Sequence, residues 1–180
     1  RGLVFFAAGA NRHIDTDIYS VKLDGTGMTR LSRTAGTHRA SFDPTYTQYV
    51  DYWSDVATPP QARLVRTDGH EVRVIEGNHV AALDDARLGR PEFLEIKARD
   101  GFPMDALMFR PPDFDPARRY PVYQFTYAGP TAALARNRWA GTDYLFHQLL
   151  AQRGVIVWIL DNRSAGGRSV EAQWPVYGNL

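Results

Sequence analysis

Short runs of alternating hydrophobic and polar residues, separated by turn-forming residues, fill the first half of the chain. Leu3–Ala8 is an apolar strand, and within residues 17–23 the tyrosine, the valine and the leucine share one face. Asp68-Gly69 is a hairpin signal between two further strands. The pattern predicts successive antiparallel strands, typical of a sandwich or of propeller blades, and no strict repeat decides between them. Residues 3–53 have the length of one blade, at roughly 40–50 residues per repeat.

The pattern changes after about residue 80. Two apolar runs, residues 93–97 and 104–109, flank Asp100-Gly101 and predict a second hairpin. Residues 122–127 are rich in aromatic and β-branched side chains, which predicts a buried strand. Residues 155–160 form an apolar run without alternation, which is typical of a strand covered on both faces.

A helix is predicted between these last two strands, over residues 142–153. Thr142 or Asp143 can cap its first turn, and Gly154 ends it. A strand, a helix and a strand in this order predict a right-handed crossover and a parallel pair. We therefore expect a mixed fold class, an all-β segment followed by an α/β segment. The predicted apolar stripe of the helix consists of Leu145, Phe146, Leu149 and Leu150.

The end of the strand at residues 122–127 provides the first candidate site residue. Gly129-Pro130 forces a turn, because glycine permits unusual dihedral angles and proline lacks a backbone donor. Ligands bind at the carboxyl ends of strands in open α/β sheets, so the hydroxyl of Tyr127 is a candidate functional group. The alternative is that Tyr127 is an aromatic residue that only packs at the strand end.

Composition and charge exclude several classes of function. The 180 residues carry a formal net charge of +1, which gives no argument for binding nucleic acid or a membrane surface. The longest apolar run, residues 155–160, is too short to span a bilayer, so we expect no transmembrane segment. The chain has no cysteine, which excludes disulfides and cysteine-based zinc sites. The five histidines show no metal-ligand spacing, and we expect neither a metal nor a cofactor.

Ser164 is the nearest match to a nucleophilic serine, and the sequence argues against it. A nucleophile elbow has the pattern Gly-x-Ser-x-Gly after a buried strand, whereas Asn162 stands in the place of the first glycine. In the catalytic triad of α/β-hydrolases the histidine follows the serine in the sequence. The last histidine of this chain, His147, precedes Ser164. We therefore interpret Ser164 as a turn residue. His147 lies within the predicted helix and is expected to pack near the sheet.

Several stretches together resemble the prolyl oligopeptidase family of serine peptidases, in particular its dipeptidyl peptidase IV branch of bacterial type. Their order and spacing carry the likeness, and the first half is similar to the final blade of that family's propeller. Residues 58–60 and Asp68-Gly69 lie where such sequences pass into the hydrolase domain. The matching stretches are residues 110–115, 119–122, 127–130, 141–148, 150–154 and 161–168.

This resemblance implies a domain division and an activity. Residues 1–80 would be the last part of a β-propeller, and residues 81–180 the N-terminal part of an α/β-hydrolase domain, truncated before the nucleophile elbow. The parent protein would be a serine exopeptidase that removes N-terminal dipeptides, Xaa-Pro or Xaa-Ala, from peptides. The hydroxyl of Tyr127 would then donate to the oxyanion, and the parent would be a homodimer with a peptide as its substrate.

The same resemblance leaves part of the machinery outside the chain. The triad serine, aspartate and histidine would lie beyond Leu180, and the glutamates that hold the substrate amine would precede Arg1. We therefore expect a piece of a longer protein that is inactive by itself, in a periplasmic or cytoplasmic compartment that the sequence leaves open. Ser164 departs from the family, which usually has glycine at this turn.

Two other readings remain open at this point. The parent could be an acyl-peptide hydrolase or an oligopeptidase of the same superfamily, which would differ in the groups that hold the substrate amine. The chain could instead belong to a non-catalytic, β-rich interaction module, a family member without a triad.

Overall fold

The structure is a computed structural model that describes residues 2–127 and 129–178. The chain is mostly β, with strands arranged in three sheets. It divides into two compact units. The first contains Arg1–Val80 together with Asn137–Trp139, and the second contains Ala81–Arg136 and Ala140–Leu180.

The first unit begins with a three-stranded antiparallel sheet in the order β1-β2-β3. Leu3 pairs with Lys22 and Ala8 pairs with Asp17, so β1 and β2 are in register along their whole length. The strands of this sheet are β1 (Leu3–Ala8), β2 (Asp17–Lys22) and β3 (Thr29–Arg30).

A four-stranded antiparallel sheet completes the first unit, with its strands in sequence order. Asp68-Gly69 makes the turn between the last two strands, as predicted, with Gly69 at a φ of 82°. The aspartate stabilises the turn because its Oδ1 accepts the backbone N–H of His70 at 2.9 Å. The strands are β4 (Thr37–Phe42), β5 (Gln48–Ser54), β6 (Gln61–Arg66) and β7 (Glu71–Glu76).

Two sequence predictions about this half were wrong. Residues 3–53 are not one blade, because the first three strands and the next four belong to different sheets. The four-stranded sheet runs from Thr37 to Glu76 instead. Residues 58–60 and Asp68-Gly69 lie within this sheet, between paired strands, and not at a passage into another unit. Turn signals are local and do not record which strands share a sheet.

Apolar side chains from both sheets form the core of the first unit. Their burial removes apolar surface from water, at about 25 cal/mol per Å². The ring of Phe42 connects two parts of this core, since it lies 4.7 Å from the ring of Phe5 and 5.0 Å from that of Tyr49. The buried members are Ile18, Leu31, Tyr49 and Val65, and Phe5, Ala40 and Phe42 pack against them.

The three residues Asn137–Trp139 belong to the first unit although they follow it by more than fifty positions. Asn137 is buried, and its side-chain amide donates to Asp15 at 2.8 Å. Its side-chain oxygen accepts the backbone N–H of Val56 at 3.0 Å. One amide therefore satisfies polar groups from two separate stretches of the first unit.

The second unit contains a four-stranded mixed sheet in the order β10-β11-β9-β8. β10 and β11 are parallel and flank α2 in the sequence, which confirms the predicted strand, helix and strand. β8 and β9 form the predicted hairpin. The elements are α1 (Ala81–Asp84), β8 (Glu92–Lys97), β9 (Pro103–Phe109), β10 (Val122–Phe125), α2 (Thr142–Gln152) and β11 (Ile156–Leu160), followed by short 3-10 turns at Arg163–Ala165 and Trp174–Val176.

β10 is shorter and more exposed than the sequence predicted. It ends at Phe125, and it forms an edge of the sheet among the described residues. Val122 is 61% exposed, so the prediction of a buried strand was wrong here. Aromatic and β-branched residues favour strands at an edge as well as in the middle of a sheet, so their presence does not decide the position.

The helix α2 buries a different face from the one predicted. Leu145, Phe146 and Leu149 are each more than 40% exposed. The prediction that Thr142 or Asp143 caps the helix was also wrong, because its N-cap is Gly141 and no side-chain hydrogen bond caps it. The buried residues are Tyr144, His147, Gln148 and Ala151.

His147 and Gln148 explain why this face is the buried one. The imidazole of His147 lies 5.0 Å from the ring of Phe125 and 5.3 Å from that of Phe109, so it packs on the sheet as predicted. The side-chain amide of Gln148 bonds both backbone polar groups of Gly89, accepting from its N–H and donating to its C=O. Polar side chains are stable on a buried face when their hydrogen bonds are satisfied.

We expect the free energy of unfolding to fall as the pH drops below about 6.5, the ordinary pKa of histidine. Burial lowers the pKa of His147 in the folded chain. Between the two pKa values the unfolded chain binds more protons than the folded chain, so acid favours unfolding. In thermal unfolding followed by circular dichroism, His147→Phe should lose less Tm than the wild type between about pH 7.5 and about pH 5.5.

His70→Gln is the matched control, because it removes an exposed histidine of the first unit. This variant should keep the wild-type pH dependence. An unchanged loss of Tm in His147→Phe would show that His147 does not contribute to the acid sensitivity.

Candidate functional site

The carboxyl ends of the parallel strands β10 and β11 bring two loops together. We call residues 126–135, which follow β10, the Tyr127 loop, and residues 161–168, which follow β11, the Ser164 loop. The hydroxyl of Thr126 donates to the backbone carbonyl of Leu160 at 3.1 Å, which extends the contact of the two strands by one residue. The predicted site residue, Tyr127, follows directly and has 57% of its surface exposed.

Gly129 lies directly against the ring of Tyr127. A Cβ atom at position 129 would lie 2.5 Å from Cε1 of Tyr127 and 3.1 Å from its hydroxyl oxygen. Any other residue at 129 would therefore displace the ring or the backbone. Gly129, which the sequence predicted as a turn residue, therefore also leaves room for the ring of Tyr127.

Asp161 is a buried carboxylate at the end of β11, with 6% of its surface exposed. Its two oxygens accept the backbone N–H groups of Leu134 at 2.8 Å and Ala135 at 3.0 Å. Burial raises the pKa of Asp161, although these two hydrogen bonds favour the ionised form. Loss of the carboxylate would leave two amides without this acceptor, at a cost of about 1–3 kcal/mol for each one that stays buried and unsatisfied.

Ser164 is enclosed by the second unit. It lies in the 3-10 turn Arg163–Ala165 and has 2% of its surface exposed. Its hydroxyl donates to the side-chain oxygen of Asn162 at 3.4 Å, and its carbonyl accepts the backbone N–H of Thr131 at 2.9 Å. A hydroxyl so enclosed does not reach a peptide in solution, which supports the interpretation of Ser164 as a turn residue.

Arg168 connects the Ser164 loop to the hairpin of β8 and β9. Its guanidinium donates to both carboxylate oxygens of Asp105, at 2.7 and 3.1 Å, and to Glu95 at 3.0 Å. The two parallel bonds to one carboxylate fix the orientation of the guanidinium as well as its position. The Arg168 side chain is 14% exposed, so the pair is screened less than a surface ion pair.

Arg163 makes a second connection to the same hairpin. It pairs with Asp100, and its guanidinium carbon lies 4.4 Å from the centre of the Phe102 ring. The backbone N–H of Phe102 and then the Arg163 guanidinium lower the pKa of Asp100. The partners of both arginines lie more than sixty positions away in the sequence, so no local spacing could have predicted these pairs.

An open, apolar cavity of about 480 Å³ lies beside the two loops. Trp174 and Tyr177 contribute large exposed rings to it, with 64% and 93% of their surfaces accessible. The cavity is lined by Pro130, Thr131, Val170, Gln173, Trp174, Val176, Tyr177 and Gly178.

A second cavity, of about 300 Å³, lies within the first unit and contains a buried histidine and aspartate. Nδ1 of His38 lies 2.7 Å from a carboxylate oxygen of Asp51, and Nε2 lies 2.9 Å from the carbonyl of Thr34. His38 is thus a buried histidine whose two ring nitrogens both have hydrogen-bond partners. Burial and then the charge of Asp51 raise the pKa of the nearby Tyr49 hydroxyl.

The comparisons with known proteins point to one family. Residues 1–60 match the model of the dipeptidyl peptidase IV N-terminal region. The whole chain aligns with probable dipeptidyl-aminopeptidase B of Aspergillus clavatus and of Penicillium rubens, each at 30% identity. The crystal structure of Porphyromonas gingivalis dipeptidyl peptidase 4 superimposes on 99% of the chain, with a TM-score of 0.89 and 31% identity. The chain is therefore similar, over its whole length, to one part of dipeptidyl peptidases of the dipeptidyl peptidase IV family.

Only part of a dipeptidyl peptidase IV relative is represented here. The chain spans 20% of the length of each of the two fungal relatives and 25% of the length of the Porphyromonas gingivalis protein. The likeness to that solved structure covers both units, and the antiparallel sheets of the first unit are consistent with propeller blades.

The described residues contain no group of three or more histidine, aspartate or glutamate side chains that could hold a metal ion. Neither helix described in residues 2–127 and 129–178 has the length and hydropathy needed to cross a membrane.

We expect the 180-residue chain by itself to release no chromogenic product from an Xaa-Pro amide. Ser164, the nearest match to a nucleophilic serine, is buried and does not reach a peptide in solution. The measurement is a prolonged absorbance assay with purified chain, and the Ser164→Ala variant is assayed beside it. Turnover that this substitution abolishes would instead identify Ser164 as a nucleophile.

Proposed function

We propose that this chain is part of a serine-type dipeptidyl peptidase that removes Xaa-Pro or Xaa-Ala dipeptides from the N-termini of peptides. Residues 1–80 would form the last part of its β-propeller. Residues 81–180 would form the N-terminal part of its α/β-hydrolase domain, ending before the nucleophile elbow. The names of the relatives support the peptidase class. We propose in addition that the full-length protein is a homodimer.

The architecture of the second unit supports the hydrolase assignment. A parallel pair connected through a helix, with a hairpin beside it, is typical of the start of a larger sheet with helices on its faces. Sites in such sheets lie beyond the carboxyl ends of the parallel strands. The Tyr127 loop and the Ser164 loop occupy this edge.

We assign the role of oxyanion donor to Tyr127. The single observation that carries this assignment is an exposed phenol directly after β10, next to a glycine that leaves it room. A phenol stays protonated near neutral pH, with an ordinary pKa of about 10, and it can donate a hydrogen bond to developing negative charge. Such donors act in the transition state more strongly than in the ground state, and so they raise kcat.

The remaining catalytic groups would come from other parts of the full-length protein. A serine nucleophile attacks the scissile carbonyl, and a histidine supported by an aspartate accepts the proton of the serine. The carbonyl oxygen becomes an oxyanion in this step, and the Tyr127 hydroxyl would stabilise it. Glutamates outside this chain would bind the free substrate amine and thus limit cleavage to dipeptides.

Tyr127→Phe in the full-length protein should lower kcat by about 10²–10³, the size typical of one oxyanion donor, with little change in KM. The measurement is steady-state hydrolysis of a chromogenic Xaa-Pro amide. Tyr123→Phe is the matched control, because it removes one hydroxyl from a tyrosine of the same chain segment, in β10. An unchanged kcat in Tyr127→Phe would show that Tyr127 only packs at the strand end and does not stabilise the oxyanion.

Substrate choice separates the proposed function from the two alternatives. The full-length protein should hydrolyse an Xaa-Pro amide with a free amino terminus and should reject the same compound after N-acetylation, because acetylation removes the charge that the glutamates bind. Preference for the acetylated compound would indicate the other peptidases of the superfamily, an oligopeptidase or an acyl-peptide hydrolase. A full-length protein without activity on either compound would indicate the interaction module.

A further inference from the structure

The Tyr127 loop is hydrogen-bonded to the end of β11 on both sides of the tyrosine. On the N-terminal side, the Thr126 hydroxyl donates to the carbonyl of Leu160 at 3.1 Å. On the C-terminal side, the backbone N–H groups of Leu134 and Ala135 donate to the carboxylate of Asp161. Two consecutive residues of one strand end therefore hold both ends of the loop.

A fourth hydrogen bond holds the middle of the Tyr127 loop. The backbone N–H of Thr131 donates to the carbonyl of Ser164 at 2.9 Å. Ser164 itself is buried, and Arg168 fixes the Ser164 loop by its two hydrogen bonds to Asp105. The acceptors that hold the Tyr127 loop therefore belong to a segment that is itself immobilised.

We propose that Asp161, together with the Leu160 carbonyl, positions the Tyr127 hydroxyl for its role in the reaction. Asp161 is 6% exposed and both of its oxygens accept backbone hydrogen bonds, so it is a positioning residue that does not touch the substrate. This inference rests on the proposed function of Tyr127. It adds the hydrogen bonds that hold the loop of the exposed Tyr127 side chain in one position.

An exposed phenol on a loop needs such a device. Oxyanion stabilisation requires the donor within about 2.7–3.1 Å of the developing charge, and a displacement of about 1 Å forfeits much of the effect. The ring of Tyr127 contacts its own loop at Gly129, so the position of the ring follows the position of the loop backbone. Weakening the bonds to β11 should therefore reduce transition-state stabilisation more than substrate binding.

The test is a double-mutant cycle in the full-length protein, with Asp161→Asn and Tyr127→Phe made singly and together. Asp161→Asn keeps the shape of the side chain and replaces one acceptor oxygen by a donor that faces a backbone N–H. We expect it to lower kcat on an Xaa-Pro amide by about tenfold, with KM within about twofold. In the Tyr127→Phe background it should lower kcat by less than about twofold, because the group it positions is absent.

Two results would overturn different parts of the account. The same loss of kcat from Asp161→Asn with and without the Tyr127 hydroxyl would show a general structural role and would overturn this inference alone. A wild-type kcat in Tyr127→Phe would contradict the proposed oxyanion role of Tyr127, and it would therefore also overturn this inference.

Thr126 provides a second test if Asp161→Asn does not fold. Thr126→Val removes the bond to Leu160 from an exposed residue and should lower kcat several-fold, whereas Thr126→Ser keeps the hydroxyl and should restore it. Thr29→Val is the matched control, since it removes an exposed threonine hydroxyl that donates to the Gly27 carbonyl at 3.2 Å in the first unit. Equal kcat values for Thr126→Val and the wild type would overturn the inference.

Discussion

The hydrogen bonds from two backbone amides to the buried carboxylate of Asp161 set the geometry of the second unit's candidate site. A carboxylate loses hydration when it is buried, and this one is stable because Leu134 and Ala135 supply donors to both oxygens. The same bonds specify where the loop after β10 must run. The position of Tyr127 thus depends on an acidic residue in the neighbouring strand end, and not only on its own strand.

The local parts of the fold were predictable from the sequence. Alternation and turn residues identify the strands of the first unit, and the two hairpins at Asp68-Gly69 and Asp100-Gly101 were confirmed. The parallel pair around α2 followed from the order of a strand, a helix and a strand. These features depend on neighbours in the chain, which is the information that periodicity carries.

The features that failed or were missed depend on distant partners. Hydrophobicity alone assigned the wrong face of α2 to the interior, because Gln148 is buried through its bonds to Gly89, far away in the sequence. Asp161 and Arg168 lie in a stretch that carries the family resemblance, but their hydrogen-bond partners gave no signal, since an acidic or basic residue after a strand has no special spacing. Tyr127 was a candidate because Gly129-Pro130 ends its strand locally, and only the structure shows the close contact of ring and glycine.

The side chain of Asn137 has a consequence for how the polypeptide can be divided. It forms buried hydrogen bonds with Asp15 and with the backbone of Val56, yet it follows residues 81–136 in the sequence. A gene cut at residue 80 would yield a first unit in which a buried carboxylate and a buried amide lose their shared partner. The first unit is therefore complete only after the ribosome has synthesised a large part of the second unit. We expect the first unit to finish folding only when residues 137–139 are available.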